Sequence, residues 1–479
     1  MRKVLKRFNQ MPAGAKASLA FFFASIVTSG IAYIVTPIYT RILPAEVYGQ
    51  TAVFLTWVQI FGIVAMFCLS YGVFNNGMID YQDKRNEYSF SMLILSNIIT
   101  ALFSLVLLSL YPLIKDILGI DFALLVLMCV LFIFQPAYNF WTARQRYELK
   151  YKYTVIWTII SALTSPIIAI ICILIWKDDQ LYARLFGAEV TLIVIYIGFY
   201  VYLGVKSNWK VETKYWKAAL LFNLPLIPHY LSTYLLGNSN KLLISNVIGD
   251  EAVAYYSVAH SVASLTTIVW SAINASLIPY TYEKCKVKDY KAISRITNPI
   301  LTLFALICIM ATMFAPEIVA IMATADYLEA IYVIPPIMGG VFFQVQYYIY
   351  ANIVYYHKKP KYVMFASVAS VVLNLVLGYF LISRFGYIAA GYSTLICYLL
   401  QAILDHFAMR RVVKEKIYDM KYIGLLSLFV VFVDLVSNLF YDMMFVRYGI
   451  VCILTMLAVI YRKKLIGIFM QMRNKDNKD

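Results

Sequence analysis

The chain has 479 residues, of which 62% are hydrophobic and only 14% charged, and its mean hydropathy is +0.74. Soluble domains carry about a quarter of their residues as charges, so this composition excludes a soluble protein. The net charge of +16, from 41 Lys and Arg against 25 Asp and Glu, would suggest nucleic-acid binding in a soluble chain. In a membrane protein it reads as loop charge, and no nucleic-acid partner is expected.

The basic start, MRKVLKRFNQMPAGAK, precedes an apolar run over about 18–40. That run is too long for a signal-peptide core, which predicts a retained first helix. Runs of about 20 apolar residues then follow at roughly 50–74, 89–113, 120–141, 153–176, 180–204, 217–237, 251–280, 298–322, 329–356, 362–383, 387–409, 422–441 and 444–461. These fourteen spans should be helices, because lipid offers no partner to free backbone groups; a barrel needs short alternating segments instead. With the N-terminus inside, 34 of the 41 Lys and Arg fall on one side. Cytoplasmic loops collect these residues, so both termini are expected in the cytoplasm.

The seven cysteines lie scattered, mostly in apolar runs, and read as small hydrophobes without disulfides. No loop exceeds about 20 residues, which leaves no room for a soluble catalytic domain. No Walker A motif is present, and no catalytic residue, metal or cofactor is assigned.

Two matches point to an internal duplication. PAEVYGQTAV (44–53) aligns with DEAVAYYSVA (250–259) at an offset of 206, and Ala143, Tyr147 and Lys150 meet Ala351, Tyr355 and Lys358 at 208. They imply six spans, repeated, then two more. The fold class expected is an all-α polytopic membrane protein: two parallel six-helix repeats over 1–210 and 211–415, then two C-terminal helices and a basic tail over 416–479. Such repeats suit a transporter that rocks one bundle against another.

TPIYTRILPAEVYGQ (36–50) resembles the start of bacterial polysaccharide flippases of the MOP exporter superfamily. Pro37, Arg41, Pro44, Glu46 and Gly49 carry the likeness. PLIPH (225–229) with NSNKLLISNVIGDEAVAYYSVAHSVA (238–263) resembles that family's second half. The resemblance implies a V-shaped pair of bundles around a hydrated cavity, in the bacterial cytoplasmic membrane. It implies an undecaprenyl-diphosphate-linked oligosaccharide repeat unit as substrate. This would be flipped from the cytoplasmic to the outer leaflet by alternating access, for O-antigen or capsule-type surface polysaccharide. A polysaccharide polymerase and a proton or sodium counter-ion are possible partners besides the lipid bilayer. Many relatives place an acid before the span 7 cation, where this chain has Asn240 before Lys241.

That expectation selects site residues. Arg suits a diphosphate because its fork binds two oxygens. Arg41 and Lys241 are expected to end the first helix of each half at equivalent positions, facing the cavity or snorkelling to headgroups. Pro37, Pro225 and Pro228 are hinge candidates, or structural kinks. His229 either meets substrate, carries a proton or is a structural hydrogen bonder. Asn223 and Asn240 line a cavity or join helices. Arg184 is a further substrate candidate, within reach of Glu189. Glu189, Asp405 and Asp434 are ion-coupling candidates, as intramembrane acids. Arg144, Arg146, Lys150 and Lys152 read as loop charge, or as an attractor for the diphosphate. The tyrosine run QVQYYIYANIVYY (344–356) reads as an interface belt or a sugar-stacking stripe.

Other readings are a multidrug or lipid-II exporter of the same superfamily. From another class come a membrane glycosyltransferase or polysaccharide polymerase, which usually presents a sizeable extramembrane loop that this chain lacks.

Overall fold

The computed structural model describes residues 13–456, and in them 17 helices, five short 3-10 turns and no strand. The basic N-tail, the C-tail and the end of the last expected span lie outside the described residues. Eleven helices are long and apolar enough to cross a membrane, or twelve if a bent pair, Ala325–Tyr332 with Ile334–Tyr356, is one span. The expected span over 387–409 is a helix too polar for that criterion, and the last expected span is the short apolar helix Met444–Met456.

The chain divides into two compact units at Tyr234/Leu235. The division falls inside a helix rather than in the loop near 210, because residues 213–223 pack on the first unit. The two helices after 416 are not a separate appendage: the first of them packs into the second unit.

In the first unit the helices are α1 (Ala13–Ile42), α2 (Ala45–Ala65), α3 (Gly72–Asp80), α4 (Arg85–Leu118), α5 (Phe122–Tyr147), α6 (Tyr151–Ile175), α7 (Gln180–Lys206) and α8 (Trp216–Asn223). Helix α9 (Ile227–Val247) runs through the division. Apolar side chains gain little by leaving lipid for a helix interface, so close packing and polar contacts must hold helices together. The α6–α7 crossing shows the packing side. A Cβ on Gly187 would stand 2.9 Å from the Ala169 backbone, so only glycine lets the two helices approach this closely.

The second unit contains α10 (Asp250–Lys286), α11 (Tyr290–Met313), α12 (Ala315–Met322), α13 (Ile334–Tyr356), α14 (Pro360–Phe385), α15 (Ala389–Val412), α16 (Met420–Ser437) and α17 (Met444–Met456). Helix α13 is its axis, packed against α10, α11, α15 and α16. The tyrosine run therefore is not mainly an interface belt: Tyr347 and Tyr350 are buried in the bundle, and only Tyr355 at its end is exposed. All seven cysteines are free thiols.

The halves match closely in helix order. The ends of α1 and α9 (Ile42, Val247) and the starts of α2 and α10 (Ala45, Asp250) are each 205 residues apart. The α5–α6 and α13–α14 turns are the same turn, with Leu149 and Lys358 both left-handed at φ 56° and 55°. This register removes one expected equivalence. Arg41 sits in the last turn of α1, whereas Lys241 lies well before the end of α9. Arg41 and Lys241 are therefore not counterparts.

Candidate functional site

The halves differ in the helix that follows α1 and α9. Helix α10 runs unbroken, but in the first unit the equivalent stretch stops at Ala65 and resumes at Gly72. Phe67 and Cys68 there take left-handed backbone angles, φ 55° and 50°. A helix broken at membrane depth frees carbonyls that lipid cannot satisfy. Here side chains answer them. Thr100 Oγ1 donates to the Ala65 carbonyl (3.0 Å), Ser96 Oγ to Met66 (3.4 Å) and Asn223 Nδ2 to Phe67 (3.0 Å). Asn223 thus has a structural task, and its Oδ1 is a buried acceptor with no partner among the described residues.

Beside the break, the chain from α8 into α9 is itself interrupted. Pro225 lies in a 3-10 turn (Leu224–Leu226), and Pro228 is the second residue of α9. His229 follows, its Nδ1 buried with no partner among the described residues. Its ring lies 5.8 Å from Tyr230, which meets Tyr71, the residue that ends the break, edge-on at 5.5 Å. Two interrupted helices and a polar aromatic cluster therefore meet in the first unit. Discontinuous helices of this kind are how membrane transporters expose polar groups to a substrate.

Arg41 is exposed on the protein surface and donates from Nη1 to the Pro37 carbonyl at 2.8 Å, so Pro37 and Arg41 form one local structure at the end of α1. Arg184 does not form the expected ion pair with Glu189. Its guanidinium lies over the Tyr39 ring at 4.3 Å, where a desolvated cation is attracted by the ring face. Glu189 is buried on the same helix. Two of the four cations after α5 share one carboxylate: Glu148 accepts from Arg144 (2.8 Å) and Lys150 (2.6 Å), and Arg144 also donates to Asn86. Burial alone would raise the Glu148 carboxyl, but those two donors and their charges outweigh it and hold it below its ordinary value.

In the second unit Asn240 is buried and joins three helices. Its Nδ2 lies within 3.5 Å of the Tyr256 hydroxyl, the Ala390 carbonyl, Ser393 Oγ and Thr394 Oγ1, nearest the last at 2.8 Å. Its Oδ1 accepts from Asn374 Nδ2 at 3.3 Å, and Asn374 also donates to Ser239. This is interhelical bonding, with no face left for a substrate. Lys241 is half-buried beside it on α9. His260 contacts the Gly237 carbonyl at 3.0 Å.

The acids differ. Asp434 is buried on α16 and accepts from Thr312 at 2.9 Å through one oxygen. Asp405 is fully buried, and neither carboxyl oxygen has a hydrogen-bond partner among the described residues. One turn earlier on the same buried face of α15, Gln401 donates to Ser367 and leaves its own Oε1 unpartnered. Asp405 is therefore packed in the interior of the second unit.

Sequence reasoning missed the break at 66–71, Tyr71 and His260. The stretch IVAMFCLSYG carries no proline or polar run that signals a break. His260, four residues after Tyr256 in an aromatic helix, had only its residue type to mark it.

Residues 15–284 match the polysaccharide biosynthesis protein family, and residues 225–380 also match the MatE family. Over 398 residues the chain is 23% identical to a Haloferax volcanii protein named "Probable low-salt glycan biosynthesis flippase", covering 81% of this chain and 82% of that one. It is 24% identical to protein 1 of the Lsg locus of Haemophilus influenzae, over 44% of this chain and 54% of the relative. It is 26% identical to the Shigella flexneri "Putative O-antigen transporter", over 34% and 40%. The match thus spans about half, or less, of the length of these last two relatives. Among solved structures, the fold is that of the lipid II flippase MurJ in an inward closed conformation, with a TM-score of 0.64, 15% identity and coverage of 94% and 99%. An inward-facing multidrug resistance MATE family transporter of the MOP superfamily gives the same TM-score at 13% identity, over 81% and 95%. The chain belongs to the polysaccharide biosynthesis protein family.

Proposed function

We propose that the protein is a flippase that moves an undecaprenyl-diphosphate-linked oligosaccharide from the cytoplasmic to the outer leaflet for surface polysaccharide assembly. The observation that carries this reading is the pairing of family and architecture: a polysaccharide biosynthesis family member whose described residues are almost entirely membrane-length helices. Moving a lipid diphosphate sugar makes no bond. It needs a cation for the diphosphate, polar and aromatic groups for sugars, and lipid for the tail. The glycan flippase and O-antigen transporter names of two relatives support the same reading.

In this account Arg41 holds the diphosphate, since it is an exposed guanidinium at a helix end already shaped by Pro37. Lys241 is a separate candidate cation, half-buried on α9. The broken-helix cluster of His229, Tyr230 and Tyr71 offers sugar contacts, and Pro225 and Pro228 let that segment move. Asp405 is the favoured coupling group, because a buried carboxyl without a donor carries a proton or meets a cation. Glu189 and Asp434 are weaker candidates, Asp434 because Thr312 already engages it. Both termini face the cytoplasm.

Reconstitution into liposomes with a fluorescent lipid-linked oligosaccharide tests the reading. The wild-type chain is expected to move it across the bilayer, and Arg41→Ala to abolish movement at unchanged protein level. Undiminished movement by Arg41→Ala removes the diphosphate assignment; none by the wild type removes the flippase.

A further inference from the structure

A cavity of about 620 Å³ opens in the second unit, where α11 begins, α15 ends and α16 begins. Lys291, Arg295, Arg410, Lys416 and Lys421 line it, together with a single carboxylate, Asp419. That carboxylate is engaged as the cap of α16, accepting from the backbone N–H groups of Lys421 and Tyr422 at 3.2 Å. Among the described residues none of the five cations is in an ion pair; Arg410 alone has a hydrogen bond, to the Glu415 carbonyl. Ordinary loop charge is spread out in water. Here it converges on one concave site, with two buried polar atoms left over on its lining residues, Asn298 Oδ1 and His406 Nδ1.

The surroundings say what kind of anion fits. Two of the three lining helices, α15 and α16, continue from their cations as exposed apolar stripes. On α15, Phe407 (64% exposed) and Ile403 lie three and seven residues before Arg410; on α16, Leu425 and Leu428 (both 70%) lie four and seven after Lys421. At helical spacing these residues share a face with their cation. A ligand with a phosphate at one end and acyl chains at the other matches charge and stripe together. We infer that this cleft binds the phosphate headgroup of an anionic membrane phospholipid, apart from the transported substrate. Juxtamembrane basic pockets between helices bind such headgroups.

The test is native mass spectrometry of the delipidated full chain titrated with phosphatidylglycerol, phosphatidylcholine or inorganic phosphate, so it reads binding independently of transport. Phosphatidylglycerol is expected to bind in preference to phosphatidylcholine. Arg295→Ala with Lys421→Ala should weaken it roughly tenfold or more, and Arg295→Lys with Lys421→Arg should retain it. Lys150→Ala, on the other unit, should change nothing. Equal binding of the two lipids, undiminished binding by the double alanine variant, or failure of the charge-conserving variant to bind overturns the inference. Displacement of the lipid by equimolar inorganic phosphate overturns it too, since the site would then be one for soluble phosphate.

Discussion

Asn223 donates its side-chain amide to the carbonyl of Phe67 at 3.0 Å, across 156 positions of sequence. The bond ties the segment before α9 to the break between α2 and α3, so each interruption supports the other.

Removing that donor should be felt locally. Hydrogen bonds between membrane helices average about 0.6 kcal/mol, with values up to about 1.7. Asn223→Leu leaves the Phe67 carbonyl without its donor and should destabilise by about 1 kcal/mol, read as a lower melting temperature in detergent. A melting temperature equal to wild type would show that the bond is not needed.

Asn240 carries more bonds. Asn240→Ala removes the amide that joins α9, α14 and α15 and should lower stability by about 1–3 kcal/mol. The loss should exceed that of Asn223→Leu in the same assay. Transport and melting should fall together, as expected for a structural residue.

Glu317 and Arg447 form a two-pronged pair, 2.8 Å on each arm, that fastens α17 to α12; Tyr448 adds a third donor at 3.0 Å. Hydrogen bonding to Arg447 holds the Glu317 carboxyl below its ordinary value. A group depressed on folding gives stability that is fully present above its unfolded pKa, about 4.3, and lost as the pH falls through the folded value. Wild-type melting should therefore drop on acidification below about pH 4–5. Arg447→Met should melt lower at pH 7, by about 1–3 kcal/mol, and show a smaller acid step.

Gly187 admits no side chain. Gly187→Val should force α6 and α7 apart, destabilising by about 1–3 kcal/mol, the range for overpacking, while Gly198→Ala, with open space around it, should be silent. Equal melting of the two variants would contradict the crossing.

Asp405→Asn should uncouple transport from an imposed ion or proton gradient while leaving the gradient-independent rate measurable. Retained gradient dependence would remove Asp405 as the coupling group.

The spans and the repeat were legible because their signals are local: apolar length, loop charge, and punctuation at Pro44 and Gly249 ahead of matched helices. What stayed hidden depends on distant partners. The break at Phe67 is stabilised by Thr100, Ser96 and Asn223, three residues far along the chain from it. Arg447 has its partner, Glu317, 130 positions away. Arg41 and Lys241 looked alike because both follow apolar runs, but only helix ends could show their different registers. Asp405 stood near the end of its expected span, and its burial followed from packing against α13 and α14.

The most direct measurement removes the protein from its cell and locates the lipid-linked oligosaccharide by leaflet-specific enzymatic labelling. The account predicts accumulation on the cytoplasmic face, reversed by the wild-type chain but not by Arg41→Ala. A lipid-linked oligosaccharide that still reaches the outer face in normal amounts would contradict it.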